Sequence, residues 1–274
     1  MVPSLTGAVT VITGASAGIG LAAARAYAAA GARVVLSART EHRLSEEAAA
    51  IVASGGEAMA VGADVTSPTQ VASLVDAVRA RWGRLDILVC NAGVGLYGRV
   101  EDLPEEALRR AFEVNFFGVV RCVQQALPLM KAGRAGLIQI VSSVIGRRAV
   151  PLYGGYCATK FALQGMADAL RLEAARDGIH VQMFYPALTD TGFSRNALIA
   201  SPDSPSRRLR ATSAGEVARQ MVTAARRGSR EHIVTASGRA LVRLNSVAPS
   251  LVDALLDRIL LGESESGALR HRRE

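Results

Sequence analysis

Tyr156 and Lys160 stand four positions apart, so on a helix both project from one face. An ammonium beside a phenol stabilises the phenolate. It is expected to draw the Tyr156 pKa from about 10 toward neutrality, where a tyrosine works as a general acid or base. Composition marks Lys160 further: of 32 Lys and Arg residues, only Lys131 and Lys160 are lysines. An arginine there would be a planar fork whose pKa cannot be tuned, so a lysine kept at 160 points to chemistry. Ser143 ends the apolar run IQIVSS, where its hydroxyl can hold a substrate carbonyl. Asn91 and Asn115, two of four asparagines, lie in the apolar contexts LVCNAGV and FEVNFFG. A buried amide needs partners, so each suits either a backbone-satisfying role or a direct catalytic one.

A second group of residues suits a phosphate-bearing ligand. The stretch Thr13-Gly14-Ala15-Ser16-Ala17-Gly18-Ile19-Gly20 follows a β-rich run and precedes an Ala-rich helix. Three glycines let the backbone approach a pyrophosphate, and a helix N-terminus faces its charge. The spacing is G-x-x-x-G-x-G, not the commoner G-x-G-x-x-G. The next strand ends Ser37-Ala38-Arg39, with no acid to accept from a ribose 2′-hydroxyl and one guanidinium able to pair with a 2′-phosphate. That favours NADP(H) over NAD(H), against the alternative of a solvated Arg39. Asp64, after the third strand, either accepts from an adenine amino group or caps its turn.

These groups need a scaffold that brings them together. Apolar runs at 9–13, 33–37, 57–63, 85–91, 136–142, 179–185 and 232–236 are separated by helix-length segments, among them 19–30, 41–53 and 214–227. The runs are continuously apolar, not alternating, as in strands buried on both faces of a parallel sheet. Strand-helix alternation predicts an α/β, three-layer, doubly wound Rossmann fold. No linker divides the chain, so residues 1–274 read as a single domain. Residues 187–212, with Pro202, Pro205 and several serines, read as a substrate lid. An amphipathic helix over about 250–262 sets Leu251, Val252, Leu255, Leu256, Ile259 and Leu260 on one stripe, expected to pack on the body or at a subunit interface in preference to a membrane.

Composition excludes other classes. The net charge is +8, but the arginines are spread along the chain apart from small groups at 207–210 and 270–273, and aromatics are only 4%. Nucleic-acid binding calls for a concentrated basic face with interleaved aromatics, so it is not expected. Cys90, Cys122 and Cys157 are too far apart in sequence for a zinc knuckle or redox pair, and the four His are scattered, so no metal is expected. Neither a signal peptide nor a membrane span is read, and the expected location is cytoplasmic.

Taken together, TGASAGIG, Asn91-Ala92-Gly93, Asn115, Ser143 and Tyr156-x-x-x-Lys160 resemble, in order and spacing, the classical short-chain dehydrogenase/reductase family over about residues 5–192. The resemblance implies a mostly parallel seven-stranded sheet and hydride transfer between a nicotinamide and a carbonyl or alcohol carbon. Tyr156 would then protonate the carbonyl oxygen and Ser143 would hold it. Lys160 would bind the nicotinamide ribose and lower the tyrosine pKa, and Asn115 would anchor a water in the proton relay. Cofactor contacts are implied for Gly14, Ser16, Gly18, Ile19, Gly20, Ser37, Arg39, Asp64, Val65, Asn91, Ala92, Gly93, Tyr156, Lys160, Pro186, Thr189 and Thr191. Two departures stand out: Ala187 replaces the usual glycine, and Ala17 stands where many NADP-preferring members have a basic residue.

Around the expected pocket, Ile145, Tyr153 and Phe193, with Val94, Leu96 and Tyr97, are mostly apolar. That favours a hydrophobic ketone or aldehyde and its alcohol as substrate. Arg147 and Arg148 offer a runner-up, docking of an acidic acyl-carrier protein to a 3-oxoacyl reductase. A catalytically silent NADP(H) sensor or scaffold and a membrane-surface protein are alternatives of other classes. A homodimer or homotetramer is expected from the resemblance.

Overall fold

The computed structural model describes residues 4–133, 135–193, 197–199 and 211–261. Its first half alternates strictly: β1 (Val9–Thr13), α1 (Gly18–Ala29), β2 (Arg33–Ala38), α2 (Glu41–Ala53), β3 (Glu57–Gly62), α3 (Pro68–Trp82) and β4 (Ile87–Cys90). Then come α4 (Glu105–Phe112), a π turn (Glu113–Phe117), α5 (Gly118–Ala132), β5 (Gly136–Val141), α6 (Gly154–Ala175) and β6 (Ile179–Tyr185). The two-residue strands β7 (Thr189–Asp190) and β8 (Thr212–Ser213) pair with each other. The order closes with α7 (Ala214–Arg227), β9 (Glu231–Ile233), α8 (Ala236–Val247) and α9 (Pro249–Leu256).

Seven strands form one sheet in the order β3-β2-β1-β4-β5-β6-β9, and every pairing is parallel. Alternate residues feed opposite faces, and both faces are covered. Val9, Val11, Ile138 and Ile140 pack under α3, α5 and α6, while Ile12, Leu36, Leu137 and Val141 pack under α1, α2 and α7. This is the three-layer fold that the unbroken apolar runs predict. Local chemistry sets several boundaries. Ser67 accepts from the Gln70 N–H to start α3 ahead of Pro68, and Gly83, at φ +67, ends it.

Strand order reverses between β1 and β4, which are neighbours in the sheet but distant in sequence. Chains leaving those two strand ends move apart, and the crevice between them is where such sheets bind ligands. The glycine turn leaves β1 and Asn91 leaves β4, so both reach this crevice.

Two C-terminal expectations need correction. The strand read at 232–236 stops at Ile233, because Thr235 accepts from the Gly238 N–H and starts α8. The helix read over 250–262 is α9, ending at Leu256, followed by a π turn over Asp257–Leu261. Of its apolar stripe only Val252 is fully buried, while Leu251, Leu255 and Ile259 are exposed. In the expected lid, residues 194–196 and 200–210 lie outside the described residues, as do the basic group at 270–273 and everything else past 261. Among the described residues no helix is long and apolar enough to cross a membrane.

Candidate active site

The glycine turn is built as a cradle. Gly14 and Gly18 have φ of +67° and +56°, and a Cβ on Gly20 would meet the Gly14 carbonyl and the Asn91 amide well inside contact distance. Only glycine fits there. α1 opens at Ala17 with no side-chain cap and no acid in its first turn. Its N-terminal N–H groups and the positive end of the dipole thus suit an anionic pyrophosphate. The residues present therefore fit a dinucleotide.

Asn91 fixes this cradle from the neighbouring strand. Its Nδ2 donates to the Thr13 carbonyl at 2.9 Å and to the Gly14 carbonyl at 3.3 Å. The backbone N–H groups of Asn91 and Ala92 both donate to Thr13 Oγ1, at 3.0 and 3.1 Å. Of its two expected roles, Asn91 therefore fills the backbone-satisfying one. Thr13, which the sequence reading did not single out, is its counterpart.

On the adenosine side, Ser37 is buried and Arg39 is exposed just past β2. Asp64 Oδ1 accepts from the Thr66 N–H at 2.9 Å and from Thr66 Oγ1 at 2.8 Å, so one carboxylate oxygen caps its own turn. Burial alone would raise its pKa, but these bonds and the charges of Arg39 and Arg110 hold the carboxyl below its ordinary range. Arg110 comes from α4, an element whose sequence does not announce a part in the site. Val65 points into the core, against Gly118.

Ser143, Tyr156 and Lys160 meet at the carboxyl end of β5. Ser143 follows β5 in extended conformation, and its Oγ accepts from the Ile145 N–H. Tyr156 and Lys160 share the inner face of α6, 9% and 4% exposed. Lys160 Nζ lies 5.7 Å from the Tyr156 ring centroid and donates to the Val141 carbonyl at 3.1 Å.

The electrostatics correct one expectation. Burial pushes the Tyr156 phenol well above its ordinary value, and the neighbouring Cys157 adds to this, while a hydrogen bond with Ser143 opposes both. Burial outweighs the ammonium 5.7 Å from the ring centroid, so the phenol is not drawn toward neutrality. Burial also lowers Lys160, to about 8. Both groups are thus biased toward their neutral forms, as desolvation requires.

Asn115 sits in the π turn between α4 and α5 and is fully buried. Its Oδ1 accepts from the Val94 N–H at 2.8 Å, and its Nδ2 donates to the Val94 carbonyl at 2.9 Å and to Thr159 Oγ1 at 3.0 Å. Both amide hydrogens are used. The side chain clamps the segment after β4 onto α6, and Thr159 in turn donates to the Tyr156 carbonyl at 2.7 Å.

The remaining predicted residues frame this centre. The Pro186 carbonyl accepts from the Val144 N–H at 2.9 Å, and Thr189 Oγ1 donates to the Ala187 carbonyl. Thr191 crosses to the glycine turn, where a Cβ on Gly18 would lie 3.2 Å from its Cγ2. Phe193 packs edge-on against Tyr156, with centroids 5.9 Å apart, and Tyr153 packs edge-on against Tyr97. Ile145 joins Leu96, Leu103 and Leu108 around Tyr156, so the wall beside the phenol is apolar. Residues 197–199 close onto it, with the Leu198 N–H donating to the Gly95 carbonyl and the Tyr97 N–H to the Ile199 carbonyl. Leu152, in the left-handed region at φ +67°, accepts from the Gly98 N–H at 2.8 Å.

Arg147 and Arg148 do not form an open basic pair. Arg147 is bound to Glu231 at 2.5 Å and Arg148 to Asp253 on α9. The charges expected to meet a carrier protein are already paired within the chain.

Comparison with known proteins agrees with this fold. A family model described as short chain dehydrogenase matches residues 8–200. The chain is 31% identical over 256 residues to the uncharacterized oxidoreductase YxnA of Bacillus subtilis, covering 92% of this chain and 72% of that one. A short chain dehydrogenase/reductase from Burkholderia phymatum in complex with NAD superposes with a TM-score of 0.83 at 27% identity, over 91% of this chain and 96% of that one. An alcohol dehydrogenase from Thermococcus sibiricus complexed with 5-hydroxy-NADP gives 0.73 at 30% identity, over 82% and 95%.

Proposed function

The chain belongs to the short-chain dehydrogenase/reductase family and is an oxidoreductase acting on CH–OH groups with a nicotinamide cofactor, and from that premise we propose that it reduces hydrophobic ketones or aldehydes with NADPH. One observation carries the reading: Ser143, Tyr156 and Lys160 meet beside a glycine cradle, under an apolar wall. The cofactor supplies a hydride. The chain's own residues handle the proton and the fit.

In this reading Ser143 holds the carbonyl oxygen, and Tyr156 delivers a proton to it. Tyr156 stays protonated at neutral pH, as a donor to the carbonyl oxygen must be. Lys160 holds the ribose hydroxyls of the cofactor. Arg39 pairs with a 2′-phosphate, supported by its exposure and by the absence of an acid at the end of β2. The solved neighbours carry an NAD and an NADP-type molecule, so Arg39 bears the preference for NADPH. The side chain of Asn115 acts as a clamp, since its amide hydrogens are spent on Val94 and Thr159. The chain works as one Rossmann-type unit in which Phe193 and Ile145 exclude water from the phenol.

The test follows absorbance at 340 nm with NADPH, and NADH in parallel, against hydrophobic ketones, aldehydes, diketones and a 3-oxoacyl thioester. Turnover with NADPH well above NADH on an apolar ketone or aldehyde is expected. Preference for NADH would sink the role of Arg39. Cofactor binding without turnover on any member of the panel would favour the sensor alternative.

A further inference from the structure

The C-terminal helices carry more apolar surface than the body covers. On α9, Val252 is 0% exposed and is the residue that packs inward. The next stripe, Leu251, Leu255 and Ile259, stands outward at 59%, 45% and 46%. Val247, at the end of α8, is 79% exposed and four positions before Leu251. Ala248, at φ −142° and ψ 64°, breaks the helix between Val247 and Leu251, so Val247 stands on its own stripe. The three large side chains exposed together on α9 and its π turn make a contact face, whereas scattered single exposures need no explanation.

Charge flanks this ridge. Arg239 and Arg243 precede Val247 along the same exposed stripe of α8, and Arg258 lies beside the ridge past α9. Among the described residues none of the three meets a carboxylate. By contrast Arg147, Arg148, Arg171, Arg219 and Arg230 are all paired. Asp253 is neutralised by Arg148, which leaves Asp257 as the only other carboxylate on this helical pair. Arg227, at the end of α7, and Arg239 both act on His232 and, after burial, hold its pKa down, so positive charge gathers around that side chain.

We propose that α8 and α9 form a docking surface for an anionic lipid bilayer. An apolar face with arginines that meet no carboxylate among the described residues lies in the plane of a bilayer surface with its side chains among the acyl chains and its guanidiniums at the phosphates. Charge decides between this and a second copy of the chain. Two copies paired along this face would set Arg239, Arg243 and Arg258 against their own counterparts, whereas an anionic surface attracts them. The proposal concerns where the enzyme sits and does not depend on its substrate.

Co-sedimentation tests it, using vesicles of phosphatidylcholine alone and of phosphatidylcholine with about one third phosphatidylglycerol. The full chain is expected to sediment with the anionic vesicles and not with the neutral ones, and added salt is expected to weaken binding. Leu251→Glu with Leu255→Glu, and separately Arg239→Gln with Arg243→Gln, should each weaken binding about tenfold or more while leaving the circular dichroism spectrum and soluble-substrate turnover unchanged. Light scattering on the same proteins reads the competing occupant. No binding by the wild type, or binding unaltered in the leucine variant, would overturn the proposal. So would a leucine variant that turns a dimer into a monomer.

Discussion

Asn115 and Val94 hold each other by two reciprocal hydrogen bonds, Val94 N–H to Oδ1 at 2.8 Å and Nδ2 to the Val94 carbonyl at 2.9 Å. The pair mimics one rung of a sheet with a side chain in place of a strand. It fixes the segment that runs from Gly93 over the site, and the third bond, to Thr159, ties it to the helix of Tyr156 and Lys160.

Asn115→Ala should therefore cost about 2–3 kcal/mol, since it strands two buried backbone groups of Val94 and the Thr159 hydroxyl. Urea unfolding reads the stability loss. Turnover should fall together with a raised KM, because the clamp positions the site and does not itself transfer a proton. An unchanged unfolding midpoint would remove the clamp.

Tyr156→Phe keeps the ring packed on Phe193 and deletes the proton donor. Turnover should drop by about 100-fold to 10,000-fold. NADPH affinity, read by fluorescence quenching, should change little. Retention of most of the activity would mean another group supplies the proton.

Arg39→Ala should raise the KM for NADPH about 10- to 100-fold, the worth of a charge-assisted bond to phosphate, and leave that for NADH unchanged. A parallel loss with both cofactors would assign Arg39 to folding and not to recognition.

Gly20→Ala drives a methyl group into the Gly14 carbonyl and the Asn91 amide, so it should abolish cofactor binding and cost about 2 kcal/mol or more. Gly165 lies in α6 with nothing within 4 Å of an added Cβ, and Gly165→Ala should stabilise by about 0.5–1 kcal/mol. Thermal unfolding of both variants, with and without NADPH, checks the contrast between them.

Burial holds Lys160 at about 8 in the folded chain, against 10.5 in the open. Between these values the unfolded chain binds more protons at this position, so stability rises as pH climbs from about 8 to 10.5. The penalty, about 3 kcal/mol, is present in full below 8. Lys160→Met should be more stable than the wild type at pH 7 and flatter across that window. Urea midpoints taken from pH 7 to 10.5 decide it, and identical slopes would show that the amine is better solvated than its burial implies.

The strands and the shared face of Tyr156 and Lys160 were legible because both are written in local patterns. Val9–Thr13 and Ile179–Tyr185 are dominated by apolar and β-branched residues and flanked by breakers, and Tyr156 and Lys160 share a face by helical spacing alone. What was not legible depends on partners far away in sequence. Nothing near Arg147 or Arg148 announces Glu231 or Asp253, 84 and 105 positions on, so an internal pair read as an open docking patch. The phenol pKa failed for a related reason: i,i+4 spacing places an ammonium near a ring, but how deeply both groups are buried is a tertiary property. α8 escaped because the preceding strand was read through Ala236, whereas Thr235 already starts the helix. The ridge on α9 shows as apolar in sequence, but whether the body covers it is a tertiary property.

The scarcity of lysine has a practical side. Lys131 lies on the surface, half exposed and paired with Asp177 at 2.8 Å, while Lys160 is sunk beneath Tyr156. Among lysine side chains, an amine-reactive label therefore meets one open target and one that is reached only when the site opens. Mass spectrometry of the acylated chain would read Lys131 as an internal standard and Lys160 as a clock for that opening, with no probe engineered into the protein.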